Sequence, residues 1–109
     1  MHELALAQSV VSAVLERTGD RHVSVVRLRV GRLAGVVPDA LSFCFELAAA
    51  GTSLDGATLE IEEQHGRAHC RTCAADFDCD DAILLCPCGS ADVDLLSGRD
   101  LSVTSVEVA

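Results

Sequence analysis

The spacing of the cysteines constrains this chain more than any other feature of its sequence. Two cysteines form the pair Cys70-x-x-Cys73, and two more form the tighter pair Cys86-x-Cys88. A structural zinc ion is held by four deprotonated, soft ligands at tetrahedral angles, and closely spaced cysteines can direct both of their sulfurs at one ion. The spacing therefore predicts that Cys70, Cys73, Cys86 and Cys88 together bind zinc.

The second pair is one residue shorter than the usual C-x-x-C spacing. This shortening predicts either a strained site or a fourth ligand from elsewhere. The nearby alternatives are Cys79, His65 and His69.

The acidic run Asp76-x-Asp78-x-Asp80 resembles the start of a calcium-binding loop. Asp81 stands where that loop requires glycine, and Pro87 stands where it requires a bidentate glutamate. We therefore exclude calcium and interpret the run as the solvated tip of a hairpin.

Two other interpretations of the cysteines are unligated thiols and a redox centre. Redox C-x-x-C motifs usually open a helix after a strand, and the sequence predicts no such context here. Tight cysteine pairs in a chain without a visible export signal favour a reducing compartment and metal binding. We therefore expect a cytoplasmic metal-binding protein.

The charge and hydropathy of the chain exclude two classes of partner. Its 109 residues carry a formal charge of −9, and half of them are hydrophobic. Binding of nucleic-acid phosphates needs a basic stripe, which the sequence lacks. No apolar stretch is long enough to cross a bilayer. We expect neither nucleic-acid binding nor membrane insertion.

The apolar periodicity predicts two helices and four strands. The helices are expected at residues 4–17, ended by Gly19, and from Pro38 to just before Gly51. The strands are expected at residues 22–33, 57–64, 92–96 and 100–108. The last strand needs a larger core than a metal module can supply, so we expect it to rejoin the sheet of the first half.

This order of elements predicts an α+β fold in which a small mixed sheet carries two helices. Residues 1–65 and 91–109 form one α/β domain, and residues 66–90 form an inserted, zinc-ribbon-like module.

The first three residues form a second candidate metal site. Met1 offers an α-amine, His2 an amide nitrogen and an imidazole, and Glu3 a further amide nitrogen. Ni(II) with nitrogen donors favours square-planar or tetragonal geometry. The same residues also fit a solvated histidine near a terminus and a glutamate that favours the dipole of the following helix. The residues alone favour the solvated histidine over a metal site.

A resemblance changes that balance. The chain resembles the HypA/HybF family of nickel metallochaperones for hydrogenase maturation. The matching segments are Met1-His2-Glu3, Val30-Gly31-Arg32-Leu33, Pro38-Asp39-Ala40-Leu41-Ser42-Phe43, Phe45-Glu46, Gly51-Thr52, Gly56-Ala57-x-Leu59, Cys70-x-x-Cys73, Cys86-Pro87, Cys88-Gly89-Ser90, and Gly98-x-x-Leu101 to Ser105-Val106-Glu107. They extend over nearly the whole chain.

The resemblance implies a non-catalytic protein with two metals. In this family, Ni(II) binds at the extreme N-terminus, with His2 essential and Glu3 contributing, and zinc binds to the two cysteine pairs. A GTPase partner, HypB, helps to deliver nickel to the large subunit of [NiFe]-hydrogenase, and in some organisms to urease. The family pattern Cys-Pro-x-Cys-Gly lacks one residue here, at Cys86-Pro87-Cys88. A rival hypothesis is a zinc-ribbon interaction or regulatory module that transfers no nickel.

Overall fold

The computed structural model describes residues 2–81 and 83–109. These residues form two helices and the strands of two three-stranded sheets. The elements are α1 (Glu3–Thr18), β1 (Val23–Gly31), α2 (Pro38–Ala49), β2 (Thr58–Gln64), β3 (Arg67–Cys70), β4 (Asp76–Asp78), β5 (Val93–Ser97) and β6 (Leu101–Val108). This is the predicted α+β class, with a small mixed sheet and two helices.

The chain divides into two compact units. The first unit comprises Met1–Leu28, Val36–Glu62 and Ser102–Ala109. The second unit comprises Arg29–Gly35 and Glu63–Leu101. Both helices belong to the first unit, and every cysteine except Cys44 belongs to the second.

Helix α1 forms where the apolar periodicity predicts it. Its buried stripe recurs at helical spacing and includes Ala7, Val10, Val11 and Val14. The helix ends at Gly19, which has a φ of 64° and whose N–H donates to Leu15 O at 2.9 Å. A positive φ costs glycine little, which is why this residue stops the helix.

Helix α2 starts with Pro38, whose fixed φ suits a first helical turn. Leu41, Phe45 and Ala49 recur every fourth residue and are almost fully buried. This stripe packs against α1 and forms the core of the first unit. The opposite face of α2 is exposed.

The larger sheet has the strand order β2-β1-β6 and is mixed. The Arg27 side chain donates a hydrogen bond to Glu60, and further along the sheet Arg32 N–H donates to Gln64 O. Strands β1 and β2 therefore run parallel. Strand β6 runs the opposite way, because its end at Ala109 pairs with His22 at the start of β1. The C-terminal strand thus rejoins the first sheet, as predicted.

Strand β6 is less buried than expected for a strand whose apolar residues were predicted to need a larger core. Val103 and Val108 remain 36% and 42% exposed, so they contribute little to a core. The buried residues of this sheet lie on the central strand, where Val26 and Leu28 are almost inaccessible to solvent. Leu101 and Val106 are only partly buried, so backbone pairing contributes much of what holds β6 in place.

The smaller sheet has the order β4-β3-β5 and is antiparallel. Ala68 lies opposite Phe77 on β4 and Leu95 on β5. Ala68, Cys70, Phe77, Cys79 and Cys86 form the buried cluster of the second unit.

One sequence interpretation is wrong in this sheet. The acidic run is not a solvated hairpin tip, because residues Asp76–Asp78 form strand β4. Asp78 and Asp76 lie opposite Arg67 and His69, and each accepts a hydrogen bond of 2.6 Å from its neighbour. The ion pair of Asp78 with Arg67 and the hydrogen bond of Asp76 with His69 explain why so acidic a segment adopts a strand.

Three glycines allow backbones to cross closely inside the second unit. A Cβ on Gly66 would lie 1.8 Å from the carbonyl oxygen of Cys79, and one on Gly31 would lie 2.0 Å from that of Gly98. No other residue fits without backbone movement. The same segments are joined by Cys79 N–H donating to Gly66 O at 2.8 Å.

Membrane crossing by a helix has no basis in the described residues. Neither α1 nor α2 combines the length and the apolar character that a bilayer span requires.

Candidate metal centres

The first cysteine pair lies on the tip of the β3–β4 hairpin. Cys70 N–H donates to Ala75 O at 2.8 Å, and Ala74 N–H donates back to Cys70 O at 2.9 Å. Ala74 has a φ of 65°, which closes the turn. The N–H of Cys73 points at the Cys70 sulfur, with 3.4 Å between N and Sγ. The turn therefore directs both sulfurs to one side.

The second pair lies on a turn of the same kind that is one residue shorter. Cys86 N–H donates to Ser90 O at 2.9 Å, and Gly89 N–H donates back to Cys86 O at 2.8 Å. Gly89 has a φ of 97° and takes the place that Ala74 has in the first turn. Cys88 N–H again lies 3.4 Å from the preceding cysteine's sulfur, that of Cys86. The turn absorbs the missing residue and keeps both enclosing hydrogen bonds.

The structure brings all four predicted sulfurs together. Cys70 Sγ lies 3.7 Å from Cys88 Sγ, and Cys73 Sγ lies 3.6 Å from Cys86 Sγ. All four sulfurs lie within 4.8 Å of one another. Zn–S bonds of about 2.3 Å at tetrahedral angles place sulfurs about 3.8 Å apart. The donor set and its spacing therefore fit zinc.

The surroundings of the sulfurs favour the thiolate of Cys70 over that of Cys86. The backbone N–H of Cys73, followed by that of Thr72, lowers the pKa of Cys70 to about 6 against the cost of burial. At Cys86, the N–H of Cys88 acts in the same direction. Burial and the neighbouring thiols nevertheless outweigh it and raise the Cys86 pKa to about 12. Adjacent thiolates repel one another, and a cation among them would relieve that repulsion.

The three alternative zinc ligands that the sequence offered, Cys79, His65 and His69, have other contacts. Cys79 is buried in the cluster beneath β3, where burial and then the adjacent Asp80 raise the pKa of its thiol. His65 Nδ1 lies 3.0 Å from Asp80 Oδ2, and His69 Nδ1 lies 2.6 Å from Asp76 Oδ1. Within residues 2–81 and 83–109, none of these three side chains belongs to the sulfur group.

Two polar links outside the ligand set join the cysteine turns, and sequence inspection missed them. The hydroxyls of Thr72 and Ser90 lie 2.8 Å apart, which connects one turn directly to the other. Arg71 bonds to Asp92 at 2.8 Å and also to Asp94, both beyond the second turn. The available signal was an arginine between Cys70 and Cys73 together with two aspartates spaced two residues apart, Asp92 and Asp94.

The N-terminal site is described only in part. Met1 lies outside the described residues. His2 is exposed and caps α1 through its backbone, with Leu6 N–H donating to His2 O at 3.0 Å and no cap bond from the imidazole. Glu3 is 6% exposed, and its Oε2 accepts from Val37 N–H at 3.3 Å. The Glu3 carboxylate therefore contacts the N-cap residue of α2, whereas the His2 side chain is exposed to solvent.

Comparison with known proteins decides the family. A family model described as "Hydrogenase/urease nickel incorporation, metallochaperone, hypA" matches residues 1–108. The chain belongs to the HypA family. The HypA match includes both the first three residues and all four clustered cysteines.

Individual HypA sequences agree with this assignment over most of their length. Hydrogenase maturation factor HypA of Streptomyces avermitilis is 54% identical, over 97% of this chain and 86% of that protein. The HypA of Geotalea uraniireducens is 46% identical over 99% of both chains. The HypA of Nostoc sp. is 40% identical, over 99% of this chain and 96% of the relative.

A solved structure shows the same fold at much lower identity. The solution structure of the nickel metallochaperone HypA from Helicobacter pylori has a TM-score of 0.68 at 18% identity. The match covers 99% of this chain and 97% of that one. It confirms the predicted combination of two helices and small sheets.

Proposed function

We propose that this protein is a nickel metallochaperone that binds Ni(II) at its N-terminus and delivers it for [NiFe]-hydrogenase maturation. The observation that carries the proposal is the HypA family match across residues 1–108, which extends over both candidate metal sites. Metal transfer without turnover of an organic substrate makes the protein an accessory factor rather than an enzyme.

The proposed nickel ligands are Met1, His2 and Glu3. The exposed imidazole of His2 stands at the start of α1. A helix does not use the amide groups of its first turn in its own ladder, so ligation by the amides of His2 and Glu3 leaves α1 intact. Each donor must lose a proton, so nickel affinity falls in acid.

The proposed zinc ligands are Cys70, Cys73, Cys86 and Cys88. Zinc supplies charge compensation and cross-linking to a unit whose buried cluster is small. We propose that nickel belongs to the first unit and zinc to the second, as the predicted division at residues 66 and 90 implies.

The proposed route of nickel requires partners. A terminal site is open on several sides, so incoming ligands of an acceptor can replace its donors one at a time. We propose a HypB-type GTPase as the assisting partner and the hydrogenase large subunit as the acceptor, with urease as a second acceptor in organisms that have it. The cytoplasm, where such subunits are assembled, is the proposed location.

Substitution of the N-terminal histidine tests the proposal. His2→Ala should abolish stoichiometric nickel binding and nickel-dependent hydrogenase activation, while leaving zinc content unchanged. His22→Ala is the matched control, because His22 is another exposed histidine of the first unit. Unchanged nickel binding in His2→Ala would contradict the proposal.

The rival function is a zinc-stabilised interaction module without nickel transfer. The complete four-sulfur cluster favours it, because the cluster accounts for the second unit without reference to nickel. Extra residues before Met1 separate the two hypotheses. The extension should destroy nickel binding under our proposal and should change nothing under the rival.

A further inference from the structure

The solvent face of α2 carries an unusual pair of large apolar side chains. Phe43 is 62% exposed and Leu47 is 56% exposed. Residues four apart on a helix are surface neighbours, so the two side chains form one apolar ridge. An exposed phenylalanine beside an exposed leucine on a regular helix is not required by the fold, because Leu41, Phe45 and Ala49 form its buried stripe.

Two carboxylates flank that ridge. Asp39 precedes Phe43 by one helical turn, and Glu46 follows it by three residues. Among residues 2–81 and 83–109, neither carboxylate has a hydrogen bond or an ion pair. Residues 33–64 contain no lysine, arginine or histidine at all. No positively charged side chain within residues 33–64 therefore offsets the negative charge of this face.

A groove adjoins the ridge on the Glu46 side. Two adjoining cavities of about 290 and 340 Å³ share Phe45, Glu46, Gly56 and Ala57 in their walls. Leu54 and Leu59 line the two ends. All of these residues belong to the first unit. A carboxylate between an apolar ridge and a groove suits a ligand that carries both aliphatic bulk and positive charge.

We propose that this face of α2 docks a cationic amphipathic segment of another protein in the nickel-delivery machinery. In the docked state, aliphatic side chains of that segment cover Phe43 and Leu47, while arginine or lysine side chains reach Asp39 and Glu46. A second copy of this chain is a poor occupant, because it would set the same carboxylates against each other and carries a net charge of −9 itself. This inference rests on the proposed function, since it takes the partner from that machinery.

Binding measurements with the two proposed partners test the docking. The wild-type chain, loaded with zinc, is titrated against the HypB-type GTPase and against the hydrogenase large subunit. Phe43→Ser and Leu47→Ser should each weaken binding to one of them tenfold or more, as truncation of a central apolar residue does. Leu96→Ser is the matched control, because Leu96 is also 56% exposed but lies on β5 of the second unit.

The charge component has its own readout. Asp39→Asn with Glu46→Gln should slow association and reduce its salt dependence. The chain contains no lysine, so a carbodiimide that joins carboxylates to amines can link these side chains only to a partner's amine or to an N-terminus. Cross-links from Asp39 or Glu46 to a partner lysine are expected.

The outcomes distinguish the docking from nickel binding. Melting curves establish that each serine variant is folded, and nickel binding is measured on the same samples. Binding to both partners within twofold of wild type in Phe43→Ser and Leu47→Ser would overturn the docking, as would failure of the wild-type chain to bind either partner. Retained nickel binding in those samples would leave the proposed function standing.

Discussion

The carboxylate of Glu3, at the start of α1, accepts a hydrogen bond from the backbone N–H of Val37, with 3.3 Å between Oε2 and N. Val37 is the N-cap residue of α2, where unsatisfied N–H groups and the helix dipole favour a negative charge. Glu3 thus ties the chain terminus to the second helix. The carboxylate is largely buried and contacts α2, so we propose that Glu3 would offer nickel its amide nitrogen.

We expect Glu3→Ala to loosen the terminus without removing a nickel donor. The melting temperature should fall by roughly 5 °C, as loss of a single polar contact does in a domain of this size. Nickel stoichiometry should be retained, with weaker affinity. Calorimetric scans and nickel titration measure the two effects. Glu16→Ala, at an exposed site on the same helix, is the control and should change neither. Loss of nickel stoichiometry in Glu3→Ala would show instead that the carboxylate is a ligand.

The close backbone crossing at Gly66 predicts a severe substitution. Gly66→Ala places a methyl group 1.8 Å from the carbonyl oxygen of Cys79, so strands must separate. We expect a loss of at least about 3 kcal/mol in the free energy of unfolding, measured by urea denaturation. Gly35→Ala is the matched control, because nothing lies within 4 Å of its Cβ although its φ is +74°. It should cost only about 1–2 kcal/mol, the strain of a left-handed residue. Equal losses in the two variants would contradict the crossing.

The sulfur cluster predicts which cysteines matter for zinc. Cys88→Ser should reduce zinc content from about one ion per chain to nearly none, because it removes one of four ligands. Cys79→Ser should retain zinc, because the Cys79 side chain packs in the apolar cluster. Metal analysis of protein purified under reducing conditions provides both values. Zinc loss in Cys79→Ser with retention in Cys88→Ser would mean that the ligand set is different.

The ionisation of the cluster predicts how zinc loading depends on pH. The N–H of Cys73 holds the pKa of Cys70 at about 6, so this thiol is already ionised in the metal-free protein at about pH 7.5. It regains its proton when the pH falls below 6. Zinc should therefore release about one proton fewer at pH 7.5 than at pH 5, and its affinity should fall more steeply with acidity below pH 6. Titration calorimetry in buffers of different ionisation enthalpy counts the protons. A count that does not change with pH would contradict the lowered pKa.

Much of the fold could be predicted because the local signals agree. Gly19 ends α1 and Pro38 begins α2 where their conformational preferences require. The position of β6 followed from its need for a sheet, although its valines stay largely exposed. Strand β4 could not be predicted from its own sequence. Its acidic residues form a strand only because Arg67 and His69 lie opposite them, and cross-strand register is not a local property.

The cysteine site shows the same division. The sequence predicted the four ligands but left the shortened second pair unresolved. The structure resolves it through Gly89, whose positive φ lets Cys86 and Cys88 share a turn that is one residue shorter. The contact of Thr72 with Ser90 between the turns depends on tertiary placement and carried no signal of its own.

The most direct test of the nickel proposal uses the chain's lack of lysine. Acetylation at neutral pH therefore modifies a single amine, that of the N-terminal residue, and mass spectrometry verifies one added acetyl group. Nickel titration is then compared before and after modification on protein of equal zinc content. Our account predicts about one bound Ni(II) per unmodified chain and none at comparable affinity after acetylation. Equal nickel binding by the acetylated chain would contradict it.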